Sequence, residues 1–244
     1  MPFETDSILK ARPTATTAGL FIDDETHTQR CAWCQATPFY RQYHDAEWGF
    51  PVADERRLFE KICMEGFQAG LSWLTILNRR ENFREAFANF EAGPVAGFDE
   101  GDVKRLLLDA GIVRHAGKTA STINNAKRVI ELRREFGRWV LTCGRWNPMP
   151  QAVHCSSRIG GESHADFTSL ASAALPKDLE KRGWTLVGPM TMYAVMQAMG
   201  LVNDHLEGCD SERVALEARF SPRLTWGTAS SGGCLRPHRI GKLA

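Results

Sequence analysis

The sequence has no long hydrophobic run and no excess of charge of either sign. No apolar stretch approaches the roughly 20 residues that a membrane-spanning helix needs, so we expect no membrane span. The 30 Lys and Arg residues almost balance the 29 Asp and Glu residues, and the formal net charge is +1. This balance argues against a tight non-specific nucleic-acid binder, because any nucleic-acid contact has to come from a local basic patch.

The sequence also lacks a recognisable secretory signal and a disulfide framework. Residues 1–29 contain neither a long apolar segment nor a small-residue cleavage site. The seven cysteines are an odd number, scattered through 244 residues of which 43% are hydrophobic, and a chain of this size can bury a core without cross-links. We therefore expect a cytoplasmic protein with reduced thiols, some of them free to bind a metal.

Alternating runs typical of strands are scarce, whereas helical periodicity recurs along the chain. The expected helices are one capped by Asp54 and reaching at least Cys63, one over 71–90, one opened by Asp99 or Asp102 and stopped at Gly111, one over 119–136, and an apolar one that starts at Pro189. These patterns predict an all-α protein.

The helical segments fall into one domain with irregular flanks. Residues 1–29 are polar and predict a flexible tail, and residues 30–210 predict a single α-helical domain. Within that domain, 137–173 mix Gly, Arg, Ser, Pro, Trp and Cys without either period, and 211–244 have a similar composition. We expect both of these segments to be irregular.

Two Cys/His pairs have the residue types and spacing of a metal site. Cys31 and His44 have twelve residues between them, whereas His205 and Cys209 are four apart, a spacing that places both side chains on one face of a helical turn. Two thiolates and two imidazoles fill a tetrahedral zinc shell without an open position, which is typical of a structural site. The same residues also fit unrelated core thiols and surface imidazoles. Cys34 forms a CxxC with Cys31, as in a redox site or half a zinc ribbon, but no second CxxC exists and we interpret Cys34 as a bystander.

A cluster of aromatic residues precedes one carboxylate in an apolar helical pattern. Glu65 lies in that pattern, where a carboxylate is costly to bury unless it is paired or functional. The functional interpretation is a cage for a flat cationic ring, in which aromatic faces stack on the ring while the carboxylate accepts its N–H groups. The alternative is that Glu65 caps a helix or forms a local ion pair, and that the aromatic residues belong to an ordinary core. Those in residues 31–48 are Trp33, Phe39, Tyr40, Tyr43 and Trp48.

Two segments have features of a nucleic-acid contact. Residues 179–191 predict a helix, a short turn and a second helix, and small residues such as Gly188 allow a phosphate to approach the N–H groups that begin the second helix. Lys181 adds charge there, and a second basic stretch spans 114–118. Charge runs of this kind are also typical of solvated surfaces that bind nothing.

These residues together resemble the DNA-3-methyladenine glycosylase I family. The stretches that carry the resemblance are RCAW at 30–33, YRQYHDAEWG at 40–49, the run at 58–87 that contains EGFQAGLSW, DAGIVRHAGKTASTINNAK at 109–127, KRGWTLVGPMTMYAVMQAMGLVNDH at 181–205, and Gly208-Cys209. The match is specific because these motifs recur in the family's order and at its separations. It covers most of 30–135 and 177–209, whereas 137–173 and the end after Cys209 are unlike the family.

The resemblance implies an all-α helix-hairpin-helix glycosylase fold with a structural zinc clip. The family's zinc ligands fall on the four residues that spacing also proposes, namely Cys31, His44, His205 and Cys209. Its pocket glutamate falls on Glu65, and its pocket aromatic residues fall on Trp33, Tyr43, Trp48 and Trp73, with Tyr40 close by.

The resemblance also implies where DNA is contacted. Gly70 and Leu71 match the family's loop that enters the gap left by a flipped base. Gly188 and Thr191 match the hairpin motif of the superfamily, whereas Gly183 lies further upstream than in the tight form of that motif.

The implied activity is hydrolysis of the N-glycosidic bond of 3-methyladenine in alkylated double-stranded DNA by a monomeric enzyme. No Schiff-base lysine is evident, so we expect no strand cleavage. A zinc hydrolase or deaminase would need an open coordination position and an HxE…PCxxC motif, which is missing. The all-α pattern disfavours a redox protein built on Cys31 and Cys34. A non-catalytic helix-hairpin-helix DNA-binding module is the alternative, and it would not need the aromatic residues around Glu65.

Overall fold

The computed structural model describes residues 19–138 and 170–219, which are mostly helical. The helices are α1 Pro38–Ala46, α2 Glu55–Gln68, α3 Trp73–Leu77, α4 Arg80–Ala86, α5 Ala92–Ala96, α6 Glu100–Leu108, α7 Ala116–Phe136, α8 Leu170–Lys181, α9 Pro189–Ala198 and α10 Asp210–Arg219. Short 3₁₀ helices lie at Ala32–Cys34 and Ala88–Phe90. Strands β1 Leu20–Ile22 and β2 Gln29–Cys31 pair in antiparallel fashion. The prediction of an all-α fold is confirmed.

Helix α2 is the centre of the fold. It begins at the predicted residue, because the Asp54 side chain accepts a hydrogen bond from the N–H of Arg57. All of its residues from Leu58 to Phe67 are buried, since α3, α7 and α9 pack around it. None of the helices in the described ranges is long and apolar enough to cross a membrane.

Two further helix starts agree with the sequence signals. Asp99 accepts hydrogen bonds from the N–H groups of Gly101 and Asp102, and the Asp102 side chain accepts one from the N–H of Asp99. The two candidate residues therefore form one capping box at the start of α6. Pro189 occupies the first turn of α9, as expected for a residue that has no N–H to donate.

The expected helix over 71–90 is wrong as one element. It is divided into α3, α4 and the 3₁₀ helix at 88–90, where three consecutive residues have positive φ angles of 48°, 55° and 54°. This left-handed turn brings the rings of Phe87 and Phe90 into a stack with centroids 5.7 Å apart. Both side chains are fully buried, so their packing offsets the backbone strain that a periodicity argument cannot detect.

The expected flexible tail at 1–29 is wrong for its last residues. Leu20 pairs with Cys31 across the two strands and is buried against Cys31, Cys209 and Leu206. The hairpin is therefore ordered by contacts with the far end of the domain, which a local pattern does not reveal.

The expected irregular segment at 211–244 is likewise wrong where it overlaps α10. The carbonyl of Glu212 accepts a hydrogen bond from Asn203, and Arg219 donates to the carbonyl of Leu201. Only Ser211 and Ala215 of this helix are buried, which explains why its apolar pattern is weak. Residues 1–18, 139–169 and 220–244, which include most of the other segments predicted to be irregular, lie outside the described residues.

Candidate functional site

The four proposed metal ligands come together in one buried cluster. Cys31 ends β2, His44 lies in α1, and His205 and Cys209 lie between α9 and α10. One potential ligand atom from each lies within 4.8 Å of all the others. Nε2 of His44 is 3.2 Å from Nδ1 of His205, and Sγ of Cys209 is 3.5 Å and 3.7 Å from these two nitrogens. This arrangement can hold one metal ion.

The local structure of the second ligand pair differs from the expected helical turn. His205 and Cys209 lie on a non-helical turn in which Gly208 has a φ of 90°. The turn is closed by a hydrogen bond from the N–H of Cys209 to the carbonyl of Leu206. Glycine adopts this φ without steric cost, so the turn brings residues four apart to the same side.

The second nitrogen of each histidine is held by a neighbouring acceptor. Nδ1 of His44 lies 2.8 Å from the Asp45 carboxylate, and Nε2 of His205 lies 3.0 Å from the carbonyl of Trp48. Arg30 in turn pairs with Asp45 at 2.8 Å. These contacts fix the orientation of both rings and leave His44 Nε2 and His205 Nδ1 facing the cluster, as in many metal sites.

The electrostatics distinguish Cys209 from Cys34, whereas the contact with Cys209 and burial raise the pKa of the other cluster thiol, Cys31. Contacts from the Cys31 thiol first, and then from the imidazoles of His205 and His44, hold the pKa of Cys209 well below its ordinary value. Burial instead raises the pKa of Cys34 to about 12, and its thiol donates to the carbonyl of Cys31. Cys34 is therefore a neutral neighbour outside the four-residue cluster.

The proposed aromatic residues form a continuous group beside the Cys/His cluster. The ring centroid of Trp33 lies 4.9 Å from that of Tyr40, 5.0 Å from that of Trp48 and 5.2 Å from that of His44. The ring of Tyr43 lies 5.7 Å from that of Trp73, which begins α3. Tyr43 is buried, whereas 37% of the Trp33 surface is exposed, so the group extends from the core to solvent.

Glu65 is buried next to this group and is paired with a lysine that the sequence analysis did not select. The ammonium of Lys61, one helical turn earlier, lies 2.7 Å from Oε1 of Glu65. The same ammonium donates to the Tyr43 hydroxyl at 3.0 Å and lies 3.3 Å from the ring centroid of Trp73. The spacing of four residues in one helix allows such a pair, but it does not show that the Lys61 side chain points inward.

The predicted DNA-contacting residues are accessible at helix ends. Gly70 follows α2 with a φ of 83°, and Leu71 after it is 41% exposed. Lys181 is an exposed residue at the end of α8. Gly188 is the N-cap of α9 without a side-chain cap, and Thr191 lies in the first turn, where backbone N–H groups point out of the helix.

Helix α7 connects the end of α2 to the turn between α8 and α9. Asn125 donates to the carbonyl of Thr185 and accepts from its N–H, both at 2.9 Å, so the turn between α8 and α9 is fixed on α7. Lys118, from the second basic stretch, donates to the carbonyls of Phe67 and Ala69 at the end of α2. Lys118 is therefore engaged within the protein, while Arg114 and His115 before it are exposed.

A family model described as methyladenine glycosylase matches residues 33–213, a range that includes the aromatic group, Glu65 and three of the four cluster residues. The chain belongs to this family. Members of the methyladenine glycosylase family among curated proteins include DNA-3-methyladenine glycosylase 1 of Escherichia coli, which is 44% identical over 182 residues, or 74% of this chain and 95% of that protein. The DNA-3-methyladenine glycosylase of Haemophilus influenzae is 38% identical over 185 residues, or 75% and 97% of the two chains.

Solved structures agree with the assignment to the methyladenine glycosylase family. A crystal structure of a 3-methyladenine DNA glycosylase I has a TM-score of 0.65 and 43% identity to this chain, and the match covers 75% of this chain and 98% of that one. A structure of 3-methyladenine DNA glycosylase I from Staphylococcus aureus, solved to explain 3-methyladenine recognition, has a TM-score of 0.65 at 31% identity and covers 75% and 96%. The all-α glycosylase fold predicted from the resemblance is therefore confirmed.

Proposed function

We propose that this protein is a base-excision repair glycosylase that hydrolyses the N-glycosidic bond of 3-methyladenine in alkylated double-stranded DNA. The observation that carries the proposal is the burial of the Glu65 carboxylate beside an aromatic group that reaches the surface. A cationic, flat ligand is what such a combination recognises. The names of the curated relatives, which are 44% and 38% identical, support the same activity.

The chemistry follows from the charge of the damaged base. Adenine methylated at N3 carries a positive charge while it is attached to the sugar, so it is already a good leaving group. The enzyme then has to extrude and hold the base more than it has to supply acid catalysis. Glu65 accepts hydrogen bonds from the cationic ring, whereas an unmodified adenine stacks without that charge and gains less. Water completes the displacement at the sugar carbon.

The aromatic residues have different roles in this proposal. Trp33, Tyr40 and Trp48 are exposed or half-buried and supply stacking faces at the opening of the pocket. Tyr43 and Trp73 contact the ammonium of Lys61, so they form the wall behind Glu65. The base thus enters from the Trp33 side and meets the carboxylate at the bottom.

The duplex is held by the helix ends on either side of α7. Leu71, presented by Gly70, enters the space that the flipped nucleotide leaves. The backbone N–H groups at Gly188 and in the first turn around Thr191 bind a phosphate, and Lys181 adds a positive charge. Because these contacts are few, binding to undamaged DNA is weak, which agrees with a net charge of only +1.

The cluster of Cys31, His44, His205 and Cys209 holds one structural zinc ion in this proposal. Tetrahedral zinc with ordinary bond lengths separates two nitrogens by about 3.3 Å and a nitrogen from a sulfur by about 3.5 Å. The corresponding separations in the protein are 3.2 Å for the nitrogens and 3.5 Å and 3.7 Å for Cys209 Sγ. Four protein ligands would leave no open position on zinc, so the ion would link the two ends of the domain and would take no part in hydrolysis.

A comparison of two glutamate variants in α2 tests this function. Glu65→Gln keeps the shape of the side chain but removes the charge, and Glu60→Gln makes the same change at a buried carboxylate that pairs with Arg84 at 2.7 Å. Single-turnover release of 3-methyladenine from methylated duplex DNA should fall at least tenfold in Glu65→Gln and stay within about threefold of wild type in Glu60→Gln, since a charge-assisted hydrogen bond is worth about 1.5–3 kcal/mol.

Two results would contradict the proposal. Equal release by the two variants would place base recognition elsewhere. Binding of DNA by the wild type without any release of base would favour the alternative, a non-catalytic DNA-binding protein.

A further inference from the structure

Lys61 is a buried lysine that has no role in the reaction as proposed above. Its side chain is 7% exposed and lies in the middle of α2, where all residues from Leu58 to Phe67 are buried. The ammonium has three contacts, which are Oε1 of Glu65 at 2.7 Å, the hydroxyl of Tyr43 at 3.0 Å and the face of Trp73 at 3.3 Å. A cation therefore already occupies one side of the carboxylate.

Stability alone does not account for this lysine. Burial lowers the pKa of Lys61, while the charge of Glu65 acts in the opposite direction. A buried ion pair is often no more stabilising than apolar side chains of the same volume, because both charges lose their hydration. The pair is better explained by what it does to Glu65.

The contacts of Glu65 show what the ammonium does. Within residues 19–138 and 170–219, Lys61 is the hydrogen-bonding partner of this carboxylate, and the contact is to Oε1. The hydroxyl of Tyr43 and the ring of Trp73 fix the ammonium from two other directions. Oε1 is therefore held in place, and Oε2 is the atom that is left for a ligand.

We propose that Lys61 is a positioning residue that keeps Glu65 ionised and holds Oε1, so that Oε2 meets the cationic base. This rests on the proposed function, because the base is the ligand of Glu65. Without the ammonium, Glu65 would be a buried carboxylate with no counter-charge, and loss of hydration would favour its neutral form, which binds a cation poorly.

The other charged groups around the pair are three arginines and two glutamates, which pair with one another and leave one positive charge in excess. Burial raises the pKa of Tyr40 to about 12 and that of Tyr43 well above its ordinary value, so both hydroxyls stay neutral. The remaining charged side chains around Lys61 form pairs, with Arg80 to Glu47 at 2.7 Å, Arg84 to Glu60 at 2.7 Å and Arg57 to Glu47 at 3.9 Å. A substitution of Lys61 would therefore change the charge balance of the Lys61–Glu65 pair and leave the other ion pairs in place.

Binding of free 3-methyladenine as a function of pH tests the proposal. Lys61→Met removes the charge at similar volume, Lys61→Gln repeats the test with a second side chain, and Lys61→Arg retains the charge. Lys104→Met, at an exposed lysine of α6, is the matched control. Each affinity is divided by that of the wild type at the same pH, which cancels titration of the ligand itself.

The expected result is a deficit that depends on pH. The affinity of Lys61→Met and Lys61→Gln should approach that of the wild type as the pH rises. It should fall by up to about tenfold for each pH unit below the point at which the variant carboxyl binds a proton. Lys61→Arg and Lys104→Met should follow the wild type. A deficit of constant size at every pH would overturn the proposal, and so would tighter binding by Lys61→Met, which would show that the lysine competes with the base.

A second measurement needs no ligand. In protein labelled with ¹³C at the glutamate carboxyl, Glu65→Gln identifies the resonance of Glu65. This carboxyl should protonate at a higher pH in Lys61→Met and Lys61→Gln than in the wild type, and identical titrations would overturn the proposal. If the wild type does not bind 3-methyladenine, the proposed function fails, but the titration still decides whether Lys61 controls the charge of Glu65.

Discussion

Loss of one ligand from the metal cluster should both release the ion and destabilise the domain. Positions 31 and 209 are 178 residues apart, so the cluster closes a loop that includes nearly the whole described fold. Closing a loop of that length removes about 5 kcal/mol of chain entropy from the unfolded state, by the relation used for disulfides. Cys209→Ala should lose the ion and, with it, the stabilisation that comes from closing this loop.

The expected fall in melting temperature follows from that free energy. For a domain of this size, 1 kcal/mol corresponds to about 2–4 °C, so Cys209→Ala should melt about 10–20 °C below the wild type. Cys34→Ala is the matched control, because it removes a thiol that is equally buried and lies next to the cluster without belonging to it. It should keep the metal and lose only the packing of one small side chain, about 1 kcal/mol.

The assay combines metal analysis with thermal unfolding. Wild type and Cys34→Ala should retain one zinc per chain after dialysis, and Cys209→Ala should retain none. Chelator should lower the melting temperature of the wild type toward that of Cys209→Ala but leave Cys209→Ala unchanged. Stoichiometric zinc in Cys209→Ala, or equal melting temperatures of the two variants, would refute the assignment of the clip.

Three further predictions concern the pocket, the core and the turn between α8 and α9. Glu65→Ala should fold but bind free 3-methyladenine about 10- to 100-fold more weakly in calorimetry, because the ring loses a charged acceptor, and unchanged affinity would exclude this residue from the pocket. Gly200→Ala should lower the free energy of unfolding by more than about 3 kcal/mol in urea, since a Cβ there lies 2.4 Å from the nitrogen of Pro51 at a φ of 68°, while Gly93→Ala, in open space, should cost nothing. Asn125→Ala should lower stability by about 2 kcal/mol and weaken DNA binding, since it leaves the N–H of Thr185 unpaired and removes one of the two hydrogen bonds to its carbonyl, the other coming from Ser121; DNA affinity equal to that of the wild type would show that α7 does not fix the turn between α8 and α9.

The features that sequence predicts correctly are those with local causes. Asp54 and Asp99 are followed directly by helices because a side-chain cap acts within three residues. The β-hairpin was not predicted, because Leu20 is ordered by Leu206 and Cys209, nearly the length of the domain away. Such contacts leave no periodic pattern in a three-residue strand. Helix α10 was not predicted, because only Ser211 and Ala215 of it are buried and its apolar pattern is weak.

In the site, too, the sequence predicted some residues correctly and missed others. Spacing and resemblance proposed Cys31 and His44 as part of the metal cluster, and the structure places both there. The sequence allowed two interpretations of Glu65, a local ion pair or a carboxylate in an aromatic cage. In the structure Glu65 forms an ion pair with Lys61 and also lies beside the aromatic group. Lys61 was missed because a lysine in an apolar helix usually extends to solvent, and only tertiary packing shows that this one points inward.

The most direct test of the proposed function is chromatography of the bases that the wild-type protein releases from methylated duplex DNA, with the strands analysed in parallel. We predict free 3-methyladenine as the released base, abasic sites in strands that stay intact until alkali is added, and no release from unmethylated duplex. Absence of released 3-methyladenine from a folded, zinc-loaded protein would contradict the account.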